Sequence, residues 1–144
     1  MNNDPIKFSF NIDGDDFTSA GKASVQVKKL LRQLNFDSDT IRRVSVAMYE
    51  GEINMVIHAD GGLAEVVVAD DFIDVILTDS GPGIPDINLA MQEGFSTAKD
   101  NIRSLGFGAG MGLPNMKRYS DEMHITSKVG VGTTVSMHFN VPLQ

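Results

Sequence analysis

Ile6, Phe8, Phe10 and Ile12 alternate with Lys7, Ser9 and Asn11, the period of a strand with one face buried. Past the turn residues Asp13-Gly14-Asp15-Asp16 the period lengthens. Ala23, Val27, Leu30, Leu31 and Leu34 form an apolar stripe that predicts a helix capped by Thr18 or Ser19 and running to about Leu34. A longer helix is expected from a cap at Ser38 or Asp39 to about Ala59, with Ile41, Val44 and Met48 facing the core and Asp60-Gly61-Gly62 ending it. Val- and Ile-rich runs over Leu63–Ala69 and Phe72–Thr78, separated by Asp70-Asp71, read as two strands. From Ser80 to Gly112 the chain is dense in Gly, Pro, Ser and Thr and holds only a short helical candidate, Asp86–Gln92; so long a stretch without a periodic element points to function. A helix from near Gly110 to about Tyr119 and strands over Met123–Lys128 and Thr133–Val141 complete the chain. Strands joined by tight turns pair antiparallel. The expected fold is α+β: a two-layer α/β sandwich whose mixed, mostly antiparallel sheet carries the helices on one face.

The length of 144 residues fits a single domain over 1–144. A net charge of −7 argues against a general nucleic-acid binder, which needs a basic footprint. Without cysteine there is neither a disulfide framework nor a thiolate metal site. Met-Asn-Asn-Asp-Pro lacks the basic-then-apolar pattern of a signal peptide, and no apolar run approaches the roughly 20 residues that span a bilayer, so a cytoplasmic protein without membrane contact is expected.

Candidate chemistry begins on the second helix. Glu50, Asn54 and His58 recur at four-residue steps and therefore share one helical face. A carboxylate there can act as a base, an amide oxygen suits hard Mg2+, and an imidazole can donate to phosphate. Each is equally compatible with the polar face of a solvated helix, although Asn54 sits among Ile53, Met55, Val56 and Ile57, where an amide needs partners. Glu52 falls on another face and reads as solvated. Asp79 ends an apolar strand and opens Ser80-Gly81-Pro82-Gly83. A carboxylate there can accept from an exocyclic amine while Gly81 and Gly83 let backbone approach a flat base; an ordinary turn has the same chemistry. Gly108, Gly110 and Gly112 precede a helix, whose amides and dipole can meet an anion, but the lysine of a Walker A loop is absent. Gly130, Gly132, Thr133 and Thr134 fit a hairpin turn as well as a binding loop. Lys99, Arg103, Lys117 and Arg118 read as surface charges, with Lys99 or Arg103 in reach of phosphates if the loop closes. The eight methionines, Met48, Met55, Met111 and Met116 among them, read as core packing.

In this order the motifs resemble the GHKL-type, histidine-kinase-like ATPases shared by gyrase, histidine kinases and a mismatch-repair protein. Within them the chain is most similar to the anti-sigma-factor serine/threonine kinases and, through Gly108-Ala-Gly110-Met-Gly112-Leu-Pro, to the stressosome switch-kinase branch. The resemblance implies ATP and Mg2+ as cofactors, with Asn54 holding the metal and Glu50 activating a serine hydroxyl on a partner. It implies that Asp79 binds the adenine amino group, with Gly81, Gly83 and Thr133 or Thr134 near the base. His58, Lys99 and the second box of Gly108, Gly110, Met111 and Gly112 would lie at the phosphates, beneath a lid from about Gln92 to Ala109. The implied function is an ATP-dependent serine kinase and anti-sigma regulator that phosphorylates a small antagonist protein in a bacterial partner-switching pathway. The alternative is an ATP-responsive switch that sequesters a sigma factor or activates a phosphatase with little catalysis. A homodimer is compatible with either. The catalytic half of a histidine kinase fits least, because the ATP domain nearly consumes the chain and leaves no room for a dimerising helical pair.

Overall fold

Where the apolar period is two the chain forms strands, and where it is between three and four it forms helices. The computed structural model describes residues 4–14, 20–59, 61–92 and 112–142. The elements in order are β1 (Ile6–Asp13), α1 (Lys22–Gln33), α2 (Ser38–Ala59), β2 (Gly61–Val68), β3 (Phe72–Asp79), a single-turn α3 (Ile87–Ala90), α4 (Gly112–Tyr119), β4 (Glu122–Lys128) and β5 (Gly132–Asn140). The strands form one five-stranded sheet in the order β1-β2-β3-β5-β4. Every described pairing is antiparallel, and for β2–β3 and β4–β5 the short turn between the strands requires it.

One face of the sheet carries the helices. Val66, Ile73, Val75, Met137 and Phe139 project from it and are fully buried with Val27, Leu31, Val44, Met48 and Met116 of the helices, the two-layer core that the alternation predicts. Met55 joins that core, while Met111 lies outside the described residues. No described helix is long and apolar enough to cross a membrane.

Helix ends depart from expectation in instructive ways. Helix α2 is capped one residue earlier than Ser38 or Asp39: the Asp37 carboxylate accepts from Thr40 N at 3.0 Å and from Thr40 Oγ1 at 2.5 Å. The Thr40 hydroxyl, followed by its backbone amide, holds the Asp37 carboxyl below the usual carboxylate range. Leu34, expected in the buried stripe, is 42% exposed. Helix α1 has already ended there: Asn35 turns left-handed at φ 64, Phe36 N bonds Leu31 O and Asn35 N bonds Arg32 O, and it is Phe36 that packs against the core.

At the start of α1, Thr18 and Ser19 lie outside the described residues, and the helix begins after Gly21. Its amides are met from another element. Glu52 is 2% exposed, and its carboxylate accepts from Gly21 N at 2.8 Å, Ala23 N at 3.2 Å and Ser24 N at 3.1 Å. The expectation that Glu52 is solvated is therefore wrong. It does face away from Glu50, but towards α1, on the stripe of α2 that also holds Val44, Met48 and Met55. A buried carboxylate is tolerated there because three N–H groups and the positive end of a helix dipole replace its water.

Candidate functional site

The C-terminal half of α2, the start of α4 and one end of the sheet meet on the helix-bearing side. Strand β3 buries Ile73, Val75 and Leu77 on that side, so the same alternation puts Asp79 there too. Asp79 lies opposite Thr133 in β5. Its Oδ1 accepts from Gly81 N at 2.9 Å and from Thr133 N at 3.2 Å. Among the described residues Oδ2 accepts no hydrogen bond, which leaves one carboxylate oxygen for a ligand donor.

The turn after β3 is built tightly against its neighbours. Gly81 lies against Ala59, the last residue of α2. Gly83 has φ +81, and a Cβ there would come within 2.5 Å of Lys128 O. Only glycine satisfies both the left-handed backbone and that approach. Gly130 N bonds Pro82 O at 2.8 Å, so the β4–β5 turn and the first glycine box are joined by backbone as well.

Asn54 stands half-buried one helical turn beyond Glu50. Its amide nitrogen lies 3.9 Å from Met116 Sδ, and among the described residues its carbonyl oxygen accepts nothing. Gly112, the first residue of α4, comes so close that a Cβ would sit 2.5 Å from Asn54 Nδ2. That approach brings the first residue of α4 against an amide whose oxygen accepts nothing among the described residues, and such an oxygen fits Mg2+. Glu50 is half-buried, and Asn115 Nδ2 of α4 donates to its Oε1 at 3.4 Å.

Among the expected site residues, Asn54 thus meets Gly112 and Glu50 meets Asn115 across α2 and α4, while Asp79, Gly81, Gly83 and Thr133 gather at the sheet end. Thr134 is not brought in: strand alternation turns it to the other face, between Thr78 and Thr126. Lys99, Gly108, Gly110 and Met111, the lid and Arg103 lie outside the described residues, as does the side chain of His58. Asn115 and Ser127 were not singled out from the sequence. The Ser127 hydroxyl lies 2.7 Å from Ile84 N and 2.8 Å from Thr133 Oγ1. The only cue to it was its place on the strand that leads into the Gly130–Thr134 motif.

A profile of the family described as histidine kinase-, DNA gyrase B- and HSP90-like ATPases matches residues 37–143. The serine/threonine-protein kinase RsbT of Bacillus subtilis is 32% identical over 112 residues, 75% of this chain and 78% of that one. An anti-sigma F factor of Geobacillus stearothermophilus is 30% identical over 136 residues, 90% of this chain and 86% of that one. Among solved structures, the RsbU and RsbW domains of a Mycobacterium tuberculosis protein share the fold with a TM-score of 0.65 at 17% identity, over 96% of this chain and 34% of that one. The mycobacterial sensor histidine kinase MprB does so at 0.53 and 15%, over 96% of this chain and all of that one. With the profile spanning α2 to β5, the chain belongs to the histidine kinase-, gyrase B- and HSP90-like ATPases.

Proposed function

We propose that residues 1–144 act as one ATP-binding kinase domain, an ATP-dependent serine protein kinase and anti-sigma-type regulator that phosphorylates a small antagonist protein in a bacterial partner-switching pathway of the cytoplasm. The observation that carries this reading is the pairing of Glu50 with Asn54 one turn apart, against the first residue of α4. A switch that only bound nucleotide needs no carboxylate beside its metal ligand. The names of two relatives, a serine/threonine-protein kinase at 32% identity and an anti-sigma F factor at 30%, support the same reading.

In this reading Asp79 Oδ2 accepts from the adenine amino group, and the start of α4 at Gly112 faces the phosphates. Asn54 would hold Mg2+ through its carbonyl oxygen, and the ion would supply neutralisation of phosphate charge. Glu50, held by Asn115, takes the proton of the partner's serine hydroxyl as the serine oxygen bonds the γ-phosphorus and the bond to ADP breaks. Transfer of this kind is mostly positioning and charge neutralisation, and a base adds a factor of about 10²–10⁴.

The test is transfer from γ-labelled ATP to the protein that co-purifies with the chain in its native host. Glu50→Gln keeps the shape and removes the basicity. It is expected to slow transfer by about 10² or more while MgATP affinity stays within about twofold. Transfer at the wild-type rate would end the assignment of Glu50. Tight binding of the co-purified protein without any phosphorylation would favour the nucleotide-responsive switch.

A further inference from the structure

We propose that Ser127 is a positioning residue that fixes base selectivity, making the sheet end of the pocket an acceptor-only surface that takes a 6-aminopurine and rejects a 6-oxopurine. The inference rests on the nucleotide reading above and goes beyond it to a residue outside every motif named so far.

Ser127 and Thr133 lie opposite each other on β4 and β5. Around the Ser127 hydroxyl are Ile84 N at 2.7 Å, Thr133 Oγ1 at 2.8 Å and Gly132 O at 3.2 Å. A hydroxyl has one proton and two lone pairs. Ile84 N–H can only donate and Gly132 C=O can only accept. The arrangement that satisfies all three has Ser127 accept from Ile84, donate to Gly132 and accept from the Thr133 hydroxyl. Thr133 thereby spends its only proton on Ser127, and its oxygen remains an acceptor. Beside it, Asp79 Oδ1 is occupied by Gly81 N and Thr133 N, and Oδ2 is an acceptor as well. Both side chains at this end therefore call for a donor. An amino group supplies one, whereas a ring carbonyl leaves the carboxylate oxygen facing another acceptor, and a site built for a donor discriminates strongly against its absence.

Ser127 also joins the two segments that carry this polarity. Ile84 belongs to the turn after Gly83, and Thr133 opens β5. Without the Ser127 hydroxyl the Ile84 amide loses its acceptor and the Thr133 proton is freed to turn.

The test compares MgATP with Mg-inosine triphosphate, which differs at the purine by an oxo group in place of the amine, by titration calorimetry on the full chain. Wild type should favour ATP. Ser127→Ala should lower the ATP-to-ITP affinity ratio by about tenfold, with the ITP affinity little changed. Ser127→Thr, which keeps the hydroxyl, should restore it. A merely structural defect would weaken both nucleotides alike and leave the ratio intact, and that result overturns the inference. If Ser127→Ala does not fold, judged by thermal melting, Ser127→Cys carries the same expectation, since a thiol accepts weakly at similar size. A wild type that binds ATP with an unchanged ratio in the variants removes only the role of Ser127. A wild type that binds neither nucleotide removes this inference and the nucleotide reading together.

Discussion

Glu50 and Glu52 are two residues apart on α2 and have unrelated surroundings. Glu50 keeps a half-exposed carboxylate near Asn54, while Glu52 is buried and satisfied by three amides at the start of α1. Glu52→Gln would put an NH2 group where one carboxylate oxygen meets an N–H, and would remove the charge facing the helix N-terminus. Urea unfolding should show a loss of about 1–3 kcal/mol; a change below about 0.5 kcal/mol would mean that the helix end finds other acceptors. The sequence exposed the residues whose role is local. Asn54 stood out as an amide in an apolar run, and Asp79 as a carboxylate closing an apolar strand. Ser127 and Asn115 act across the β4–β5 register and the α2–α4 contact, which no local period encodes. For Glu52, lying off the Glu50 face does not mean exposure, because its spacing from Val44, Met48 and Met55 puts it on the buried stripe. For Thr133 and Thr134 the choice left open is settled only by register, since neighbouring strand residues face opposite ways.

Among the elements, type was legible throughout the described residues and ends were not. The strands and long helices follow from apolar periods that tertiary packing reinforces. Their ends depend on single side chains: Asp37 rather than Ser38 caps α2, and Asn35 ends α1 one residue before the stripe would. Gly61 and Gly62, expected only to stop α2, also open β2, where they pair with Asp13 and Ile12. The short helix near Asp86 exists because that carboxylate accepts from Leu89 N, yet it is only one turn long. Helix α2 supplies the proposed base, the proposed metal ligand and the support of α1, so the site and the stability of the layer share one helix.

The whole molecule divides its chemistry between the two faces of the sheet. The helix-bearing face holds the core and the candidate site; the other carries ion pairs, Lys7 with Glu65 and Asp74 with His138, among half-buried apolar residues such as Val67 and Ile76. His138 lies between Asp74 of β3 and Glu122 of β4, bonds Asn140 Oδ1 and stacks on Phe72. The Asp74 hydrogen bond, followed by its charge, raises the His138 pKa against the opposing effect of burial. A raised folded pKa means that the stabilisation is complete below the unfolded value of about 6.5 and is lost as pH rises through the folded one. Urea midpoints should therefore fall on going from about pH 6.5 to 8.5, and Asp74→Asn should flatten that fall. Equal slopes in both proteins would remove the pair from the account.

In the proposed site MgATP lies with its base against Asp79. Asp79→Asn keeps an Oδ1 for Gly81 N and Thr133 N but turns the free position from acceptor to donor, so it faces the adenine amine with another donor. Titration calorimetry with MgATP on both proteins measures this directly. Saturable binding by wild type is expected, with a loss of about 1–3 kcal/mol, roughly tenfold or more, in Asp79→Asn; no binding by wild type, or equal affinity in the variant, would refute an adenine site at Asp79.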